Sequence, residues 1–113
     1  MSATTNIAPM VLAALAEHLP ELDDLPDDRA RGRGCVWCGL HLTAETAIDL
    51  GEQQDHLDGV RWFPRGCHPC TADRAHRAML EHGSFCPLCA AADTAADCDL
   101  GRGLYRLQRE CRR

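Results

Sequence analysis

Three cysteine pairs with the spacing Cys-x-x-Cys constrain the fold of this chain more than any other feature of its sequence. The pairs are Cys35 with Cys38, Cys67 with Cys70, and Cys86 with Cys89. Two further cysteines bring the total to eight in 113 residues, whereas aromatic residues contribute only 4%. A core with so few large side chains is small, and we therefore expect bound metal or crosslinks to supply stability that burial alone does not.

The choice between metal and disulfides depends on the compartment in which the chain resides. The apolar stretch at residues 7–19 has no basic residues before it and no small-residue cleavage site after it, and no stretch approaches the length of a transmembrane helix. These features predict a cytoplasmic protein without membrane contact. Because cytoplasmic thiols stay reduced, the clustered cysteines indicate metal ligands rather than a disulfide framework.

The net charge of −5 is distributed unevenly along the chain. Residues 1–28 carry six acids and no base, a charge of −6, whereas residues 29–113 carry 12 bases and 11 acids, a charge of +1. The cysteine-containing part is therefore nearly neutral and lacks the strongly basic footprint of a typical DNA-binding domain. Every base is arginine, which is typical of a high-GC genome such as that of an actinobacterium.

The sequence divides into four segments. Residues 1–19 predict an amphipathic N-terminal helix, because apolar residues recur in them at helical spacing. Residues 20–34 are acidic, then rich in Arg and Gly, and predict a linker. Residues 35–82 and 83–113 hold the cysteine motifs. The N-terminal helix either docks on its own domain or binds a partner, and the sequence leaves both interpretations open.

Residues 35–82 predict a small α+β domain of the treble-clef type. The first cysteine pair forms a zinc knuckle, strand-like stretches at 45–50 and 59–64 form a hairpin, and the second pair stands at the N-terminus of a helix that Gly83 ends. A Cys-x-x-Cys turn presents two thiolates on one side, and the helix dipole favours the thiolate form of the other two. We therefore expect one Zn²⁺ bound by Cys35, Cys38, Cys67 and Cys70.

This four-cysteine site is closed, because protein sulfur occupies all four tetrahedral positions of the ion. It leaves no position for water or substrate, and its predicted role is structural. An iron–sulfur centre, which also takes four cysteines, is the alternative. No thioredoxin-like βαβ pattern accompanies the cysteine pairs, which argues against thiol redox catalysis.

Residues 83–113 predict a second zinc knuckle followed by an arginine-rich C-terminal helix. The expected ligands of a second Zn²⁺ are His82, Cys86, Cys89 and Cys98, with Cys111 as the alternative to His82. Two other histidines, His68 and His76, are weaker candidates, because a histidine on a helix surface is usually solvated.

The fourth ligand of the second site depends on the continuity of the last helix. If that helix runs unbroken from Cys98 to Cys111, the two cysteines are about 20 Å apart and cannot share an ion. Gly101 and Gly103 are the positions at which it could break. We favour His82, which precedes the knuckle closely enough to fold back onto it.

The stretches "GCVWCGLHLT", "WFPRGCHPCTADRAHRAML" and "CPLC" resemble small treble-clef zinc-binding proteins of actinobacteria, most of them uncharacterised. The resemblance covers about residues 33–110. It implies the fold and metal binding, and it implies no activity.

A second resemblance concerns "QDHLDGVRWFPRGCHPC", which is similar to the Asp-His and Cys-x-x-Cys motifs of HNH nucleases. In that family Asp55 would hold the metal and His56 would activate water. The chain departs from the family pattern, with Leu57 and Asp58 where a second histidine is expected and Thr71 in place of an asparagine. The simpler interpretation is that Asp55 and His56 form a polar hairpin tip.

Three classes of function follow. The first is a non-enzymatic regulator that binds DNA or RNA through its arginines, with these candidates: Arg61, Arg65, Arg74, Arg77, Arg102, Arg106, Arg109 and Arg113. The second is a protein adaptor that binds a partner through the N-terminal helix and the acidic leader, residues 1–28. The third, an enzyme, is chiefly the degenerate HNH nuclease, because no other catalytic constellation is legible.

Overall fold

Five helices and four short strands follow one another in residues 7–55 and 59–112, the part of the chain that this computed structural model describes. In chain order, the elements are α1 (Pro9–Ala16), a 3-10 turn (Leu22–Asp24), α2 (Asp27–Ala30), β1 (Ile48–Asp49), β2 (Gln53–Gln54), β3 (Arg61–Trp62), β4 (Arg65–Gly66), α3 (His68–Gly83), α4 (Pro87–Ala90), a second 3-10 turn (Ala95–Asp97) and α5 (Asp99–Cys111). The predicted α+β class is confirmed.

Small side chains on α3 allow α5 to pack closely against it. Ala72, Ala75 and Ala78 are buried along one side of α3, at the helical spacing of three residues. Leu104 and Leu107 of α5 are buried in the same core cluster. The leucine side of the predicted arginine-rich helix therefore packs in the core, and its arginines are left on the outer surface.

The N-terminal helix α1 belongs to this core. Val11 and Leu15 are each only 1% exposed, and α1 contacts both α3 and α5. Just beyond α1, the carbonyl of His18 accepts a hydrogen bond from the Trp37 indole at 3.0 Å, and the His18 ring lies 2.7 Å from the Glu81 carboxylate. Of the two interpretations of this helix, the structure supports docking on its own domain.

Residues 20–34 differ from the irregular linker expected there. They contain the first 3-10 turn and α2, and the Asp28 carbonyl accepts hydrogen bonds from the amides of Arg33 and Gly34. The Arg29 guanidinium packs against Gly39, where an added Cβ would collide with it. The segment is therefore fixed against the first cysteine turn. Its helical pieces are too short to leave a periodic pattern in the sequence.

The expected hairpin forms from four two-residue strands. β1 pairs with β4 and β2 with β3, both antiparallel, with Ile48 opposite Gly66 and Gln53 opposite Trp62. The register shifts by one residue between the two pairs. The returning strand reaches Gly66, which brings the chain directly to the start of α3. Residues 56–58 of the hairpin connection lie outside the described residues.

At Gly103, α5 packs closely against α1. A Cβ there would lie 2.6 Å from Cγ2 of Val11, a stiff β-branched side chain. We expect Gly103→Val to lower the free energy of unfolding by roughly 1–3 kcal/mol through overpacking, measured by urea denaturation. Gly83→Val is the matched control, because an added Cβ meets nothing within 4 Å there. Equal effects of the two substitutions would contradict the docking of α1.

Candidate metal centres

The first cysteine pair lies in a tight turn closed by backbone hydrogen bonds. The amide of Cys35 donates to the carbonyl of Leu40, and the amide of Gly39 donates to the carbonyl of Cys35, both at 2.8 Å. Gly39 has a φ of +80°, a conformation that strains any residue with a side chain. The glycine after "CVWC" therefore allows the turn that presents Cys35 and Cys38 together.

The second pair reaches the same place from α3. Cys67 is the N-cap residue of α3, and Cys70 lies in its first turn. Pro69 suits this turn, because the first amides of a helix have no intrahelical acceptor. The predicted hairpin connects the first two cysteines to the second two, and its outer strands β1 and β4 are paired with each other.

The thiol groups of the first centre lie close enough together to bind one zinc ion. All four sulfur atoms lie within 4.8 Å of one another, and Sγ of Cys38 is 3.7 Å from Sγ of Cys67. With Zn–S bonds of about 2.3 Å, tetrahedral angles place the sulfur atoms about 3.8 Å apart. Cys35 and Cys67 are buried while Cys38 is exposed, so the centre lies at the edge of the core.

The electrostatics of this cluster favour a cation. Burial raises the pKa of the Cys35 thiol, but surrounding backbone amides lower that pKa to about 7. The amides belong to Cys67, Cys38 and Trp37. Burial raises the pKa of Cys70, and its hydrogen bonds to the neighbouring thiols raise it further. Repulsion between neighbouring thiolates thus disfavours the ionised form of the whole cluster unless a bound cation offsets it.

The second centre brings together His82, Cys86, Cys89 and Cys98. Their ligand atoms also lie within 4.8 Å of one another. Nε2 of His82 is 3.1 Å from Sγ of Cys98, and Sγ of Cys86 is 3.8 Å from the same sulfur. One imidazole and three thiols are a usual donor set for structural zinc. The two clusters of four ligands fit two zinc ions.

The second centre joins three helices. His82 lies in the last turn of α3. Cys86 is the N-cap residue of the short α4, and Cys89 lies within that helix. Cys98 is the N-cap residue of α5. The Cys98 sulfur also accepts a hydrogen bond from the Gly101 amide at 3.4 Å. A metal ion here would fix the start of α5 relative to the end of α3.

The alternative fourth ligand, Cys111, is not near this cluster. α5 is unbroken from Asp99 to Cys111 despite its two glycines, so about 20 Å separates Cys98 from Cys111. Cys111 packs in the hydrophobic core, and burial raises the pKa of its thiol to about 11. A buried neutral cysteine of this kind behaves as a small hydrophobe.

We therefore expect Cys111→Ala to leave the zinc content unchanged. Loss of the buried sulfur should lower the free energy of unfolding by roughly 1 kcal/mol. Native mass spectrometry and urea denaturation of the same preparation measure the two effects. A variant that retains only one zinc ion would show that Cys111 is a ligand.

The weaker histidine candidates lie outside both clusters. Neither His68 nor His76 belongs to a group of potential metal ligands found in residues 7–55 and 59–112. His68 opens α3, and His76 lies midway along it, between the two centres.

The arginines proposed for nucleic-acid binding fall into two groups. Arg61 pairs with Glu52 and Arg77 with Asp73, while the Arg74 guanidinium lies 5.5 Å from the centre of the Trp37 ring. The second group is on α5, where Arg102, Arg106 and Arg109 line a groove together with Tyr105. Arg65 is exposed on β4, and Arg113 lies outside the described residues.

The residues of the nuclease resemblance are only partly described. The amide of Asp55 donates to the carbonyl of Val60 at 2.8 Å, and the amide of Gly59 donates to the carbonyl of Asp55 at 3.0 Å. These two hydrogen bonds fix the backbone of Asp55, while His56 lies outside the described residues. Thr71 is fully buried in the first turn of α3. The nuclease alternative stays a prediction.

Three aromatic residues are exposed without any prediction from the sequence, among them Phe63, which is 54% exposed. Tyr105 is 52% exposed among the arginines of α5, and its position three residues after Arg102 could have revealed it. Phe85 is 87% exposed beside the second knuckle. Nothing in the sequence distinguishes it from an aromatic residue that packs inward.

Among the described residues, no helix combines the length and the apolar composition needed to cross a bilayer. Neither a protein-family model, a curated protein nor a solved structure matches the chain.

Proposed function

We propose that this chain is a non-enzymatic zinc-finger module that binds nucleic acid through the outer face of α5. In this proposal the first centre, with its knuckle, hairpin and helix, is a treble clef. Both zinc ions are structural, because each cluster supplies four protein ligands and leaves no open position. The bound ions would hold α3 and α5 in place, and α5 would contact the ligand.

The arginine surface of α5 is the observation that carries this proposal. We define it as Arg102, Arg106, Arg109 and Tyr105. These residues and Glu110 line a shallow groove of about 280 Å³. The Arg109 guanidinium lies 5.8 Å from the centre of the Tyr105 ring, which holds part of the surface in place.

The guanidinium groups of this surface are available for an external anion. In residues 7–55 and 59–112, the arginines that form ion pairs with acids are Arg31, Arg61 and Arg77. The three arginines of the arginine surface form no ion pair with an acid within these ranges. The acids of the N-terminal segment follow the C-terminal end of α1, where residues 16, 17 and 19–22 line a different groove with β2.

The spacing of the arginines suits a phosphate backbone. Arg102 and Arg109 are separated by about 10 Å along the helix axis, with Arg106 between them. Duplex DNA carries one charge per roughly 1.7 Å of its axis, so several phosphates fall within this span. The exposed Tyr105 ring adds a face on which an unpaired base can stack.

The test is to measure the affinity for labelled duplex DNA, single-stranded DNA and RNA by fluorescence anisotropy over a series of salt concentrations. We expect the triple variant R102A/R106A/R109A to bind about tenfold or more weakly at low salt. The slope of log K against log[salt] should fall in magnitude by up to about 2.7 for duplex DNA, since each phosphate contact contributes about 0.9.

The matched control is R31A/R61A/R77A, which removes the same charge from arginines that already form ion pairs. It should bind within about twofold of the parent, because its phosphate contacts are intact. Equal losses in both variants would mean that net charge alone governs binding. Absence of measurable binding by the parent protein to all three nucleic acids at low salt would contradict the proposal.

A further inference from the structure

A groove on another face of the molecule lies between α1, α3 and the start of α5. Its apolar part is formed by Ala14, Ala78, Leu100 and Phe85, and its volume is about 270 Å³. Phe85 forms one wall and is 87% exposed. An aromatic side chain this exposed beside an apolar groove is characteristic of an interaction site.

The charged side chains that line this groove are carboxylates. Glu17 of the α1 C-cap and Glu81 of α3 line it, and no arginine does. The Glu81 carboxylate contacts His18 but keeps 66% of its side-chain surface, and Glu17 is exposed. Both carboxylates thus remain accessible beside the apolar floor.

We propose that this groove binds a basic amphipathic peptide segment of a partner protein. A large apolar side chain of the segment would occupy the space between Phe85 and Leu100. An Arg or Lys beside it would pair with the carboxylates of Glu17 and Glu81. The groove is smaller than the roughly 300–1,000 Å³ of small-molecule pockets, which favours a single side chain of a larger partner.

The proposed second zinc ion gives this surface its rigidity. Phe85 stands between His82 and Cys86, and its amide and that of Cys86 both donate to the His82 carbonyl. With His82 and Cys86 bound to one ion, the backbone of Phe85 is held at both sides. A partner that binds there then loses little entropy in ordering the site.

The probe that tests this site is a random twelve-residue peptide library displayed on phage. It is selected on the full-length zinc-loaded protein alone, and Phe85→Ala is used only afterwards, to measure the affinity of the selected peptides. We expect the enriched sequences to combine one or two large apolar residues with Arg or Lys. Synthetic peptides from the selection should bind Phe85→Ala and Glu17→Arg about tenfold or more weakly than the parent.

Two controls isolate the groove. Leu80→Ala removes another exposed apolar residue, 59% exposed on α3 and outside the groove, and should leave peptide affinity unchanged. R102A/R106A/R109A should also leave it unchanged, which separates this site from the arginine surface. Native mass spectrometry must find two zinc ions in each variant, so that a loss of binding is not a loss of fold.

Three outcomes would overturn the proposal. Selected peptides that bind the parent and Phe85→Ala equally would show that the groove is not the site. Enrichment of acidic sequences would contradict the charge argument. A dimer in sedimentation velocity that Phe85→Ala dissociates would show that a second copy of this chain occupies the groove instead.

Discussion

Cys67→Ala is expected to unfold the protein under conditions in which Cys111→Ala stays folded. Both cysteines are buried, at 3% and 4% exposure, so the two substitutions remove the same atoms from similarly packed positions. Only Cys67 belongs to a metal cluster. The contrast therefore measures the contribution of the metal rather than that of a buried sulfur atom.

We expect Cys67→Ala to lose a large part of the free energy of unfolding, because the hydrophobic core is small. Structural zinc contributes an apparent binding free energy of about 10–16 kcal/mol in small domains. The net stability of a folded domain is only about 5–15 kcal/mol. Loss of the first ion therefore removes most or all of the stability, and far-UV circular dichroism should show loss of helix at 25 °C. A cooperative thermal transition in Cys67→Ala, close to that of Cys111→Ala, would contradict a structural role for the first centre.

The double variant Cys86→Ala/Cys89→Ala is expected to lose one zinc ion and retain the other. Neither cysteine is buried in the hydrophobic core. Cys35 and Cys67 of the first centre, in contrast, are buried in a small hydrophobic cluster together with Leu42. Loss of the second ion should therefore release the knuckle and the first turn of α5. The first centre and the packing of Leu104 and Leu107 should persist.

Hydrogen exchange with native mass spectrometry measures this difference along the chain. Amides in residues 84–102 should exchange faster by about two orders of magnitude or more, as expected when a local unit opens freely. Amides of the first half of α3 should remain protected, and one zinc ion should remain bound. Simultaneous loss of both ions would show that the two centres form one cooperative unit, against our account.

The Cys-x-x-Cys spacing predicted six of the eight ligands in the two clusters, because such a turn is a local structure. A Cys-x-x-Cys turn brings two thiolates together whatever surrounds it, and a helix N-terminus presents the second pair of the first centre. The choice of His82 over Cys111 needed one further fact, the continuity of α5. Sequence alone left that open, because Gly101 and Gly103 each disfavour a helix by about 1 kcal/mol and only tertiary packing offsets this.

The elements that sequence analysis did not resolve depend on contacts between distant residues. α2 and the 3-10 turns are too short to show periodicity, and α2 is held by the contact of Arg29 with Gly39. The docking of α1 depends on the absence of a side chain at Gly103, which no local pattern reveals. The groove beside Phe85 joins residues of three helices far apart in the sequence, so only the fold brings them together.

The number of zinc ions per chain can be counted by native mass spectrometry on protein purified without added metal. We expect two zinc ions, released by a chelator together with the cooperative loss of helical structure. Fewer than two zinc ions in the folded protein, bound iron in their place, or an unchanged circular dichroism spectrum after complete metal removal would contradict this expectation.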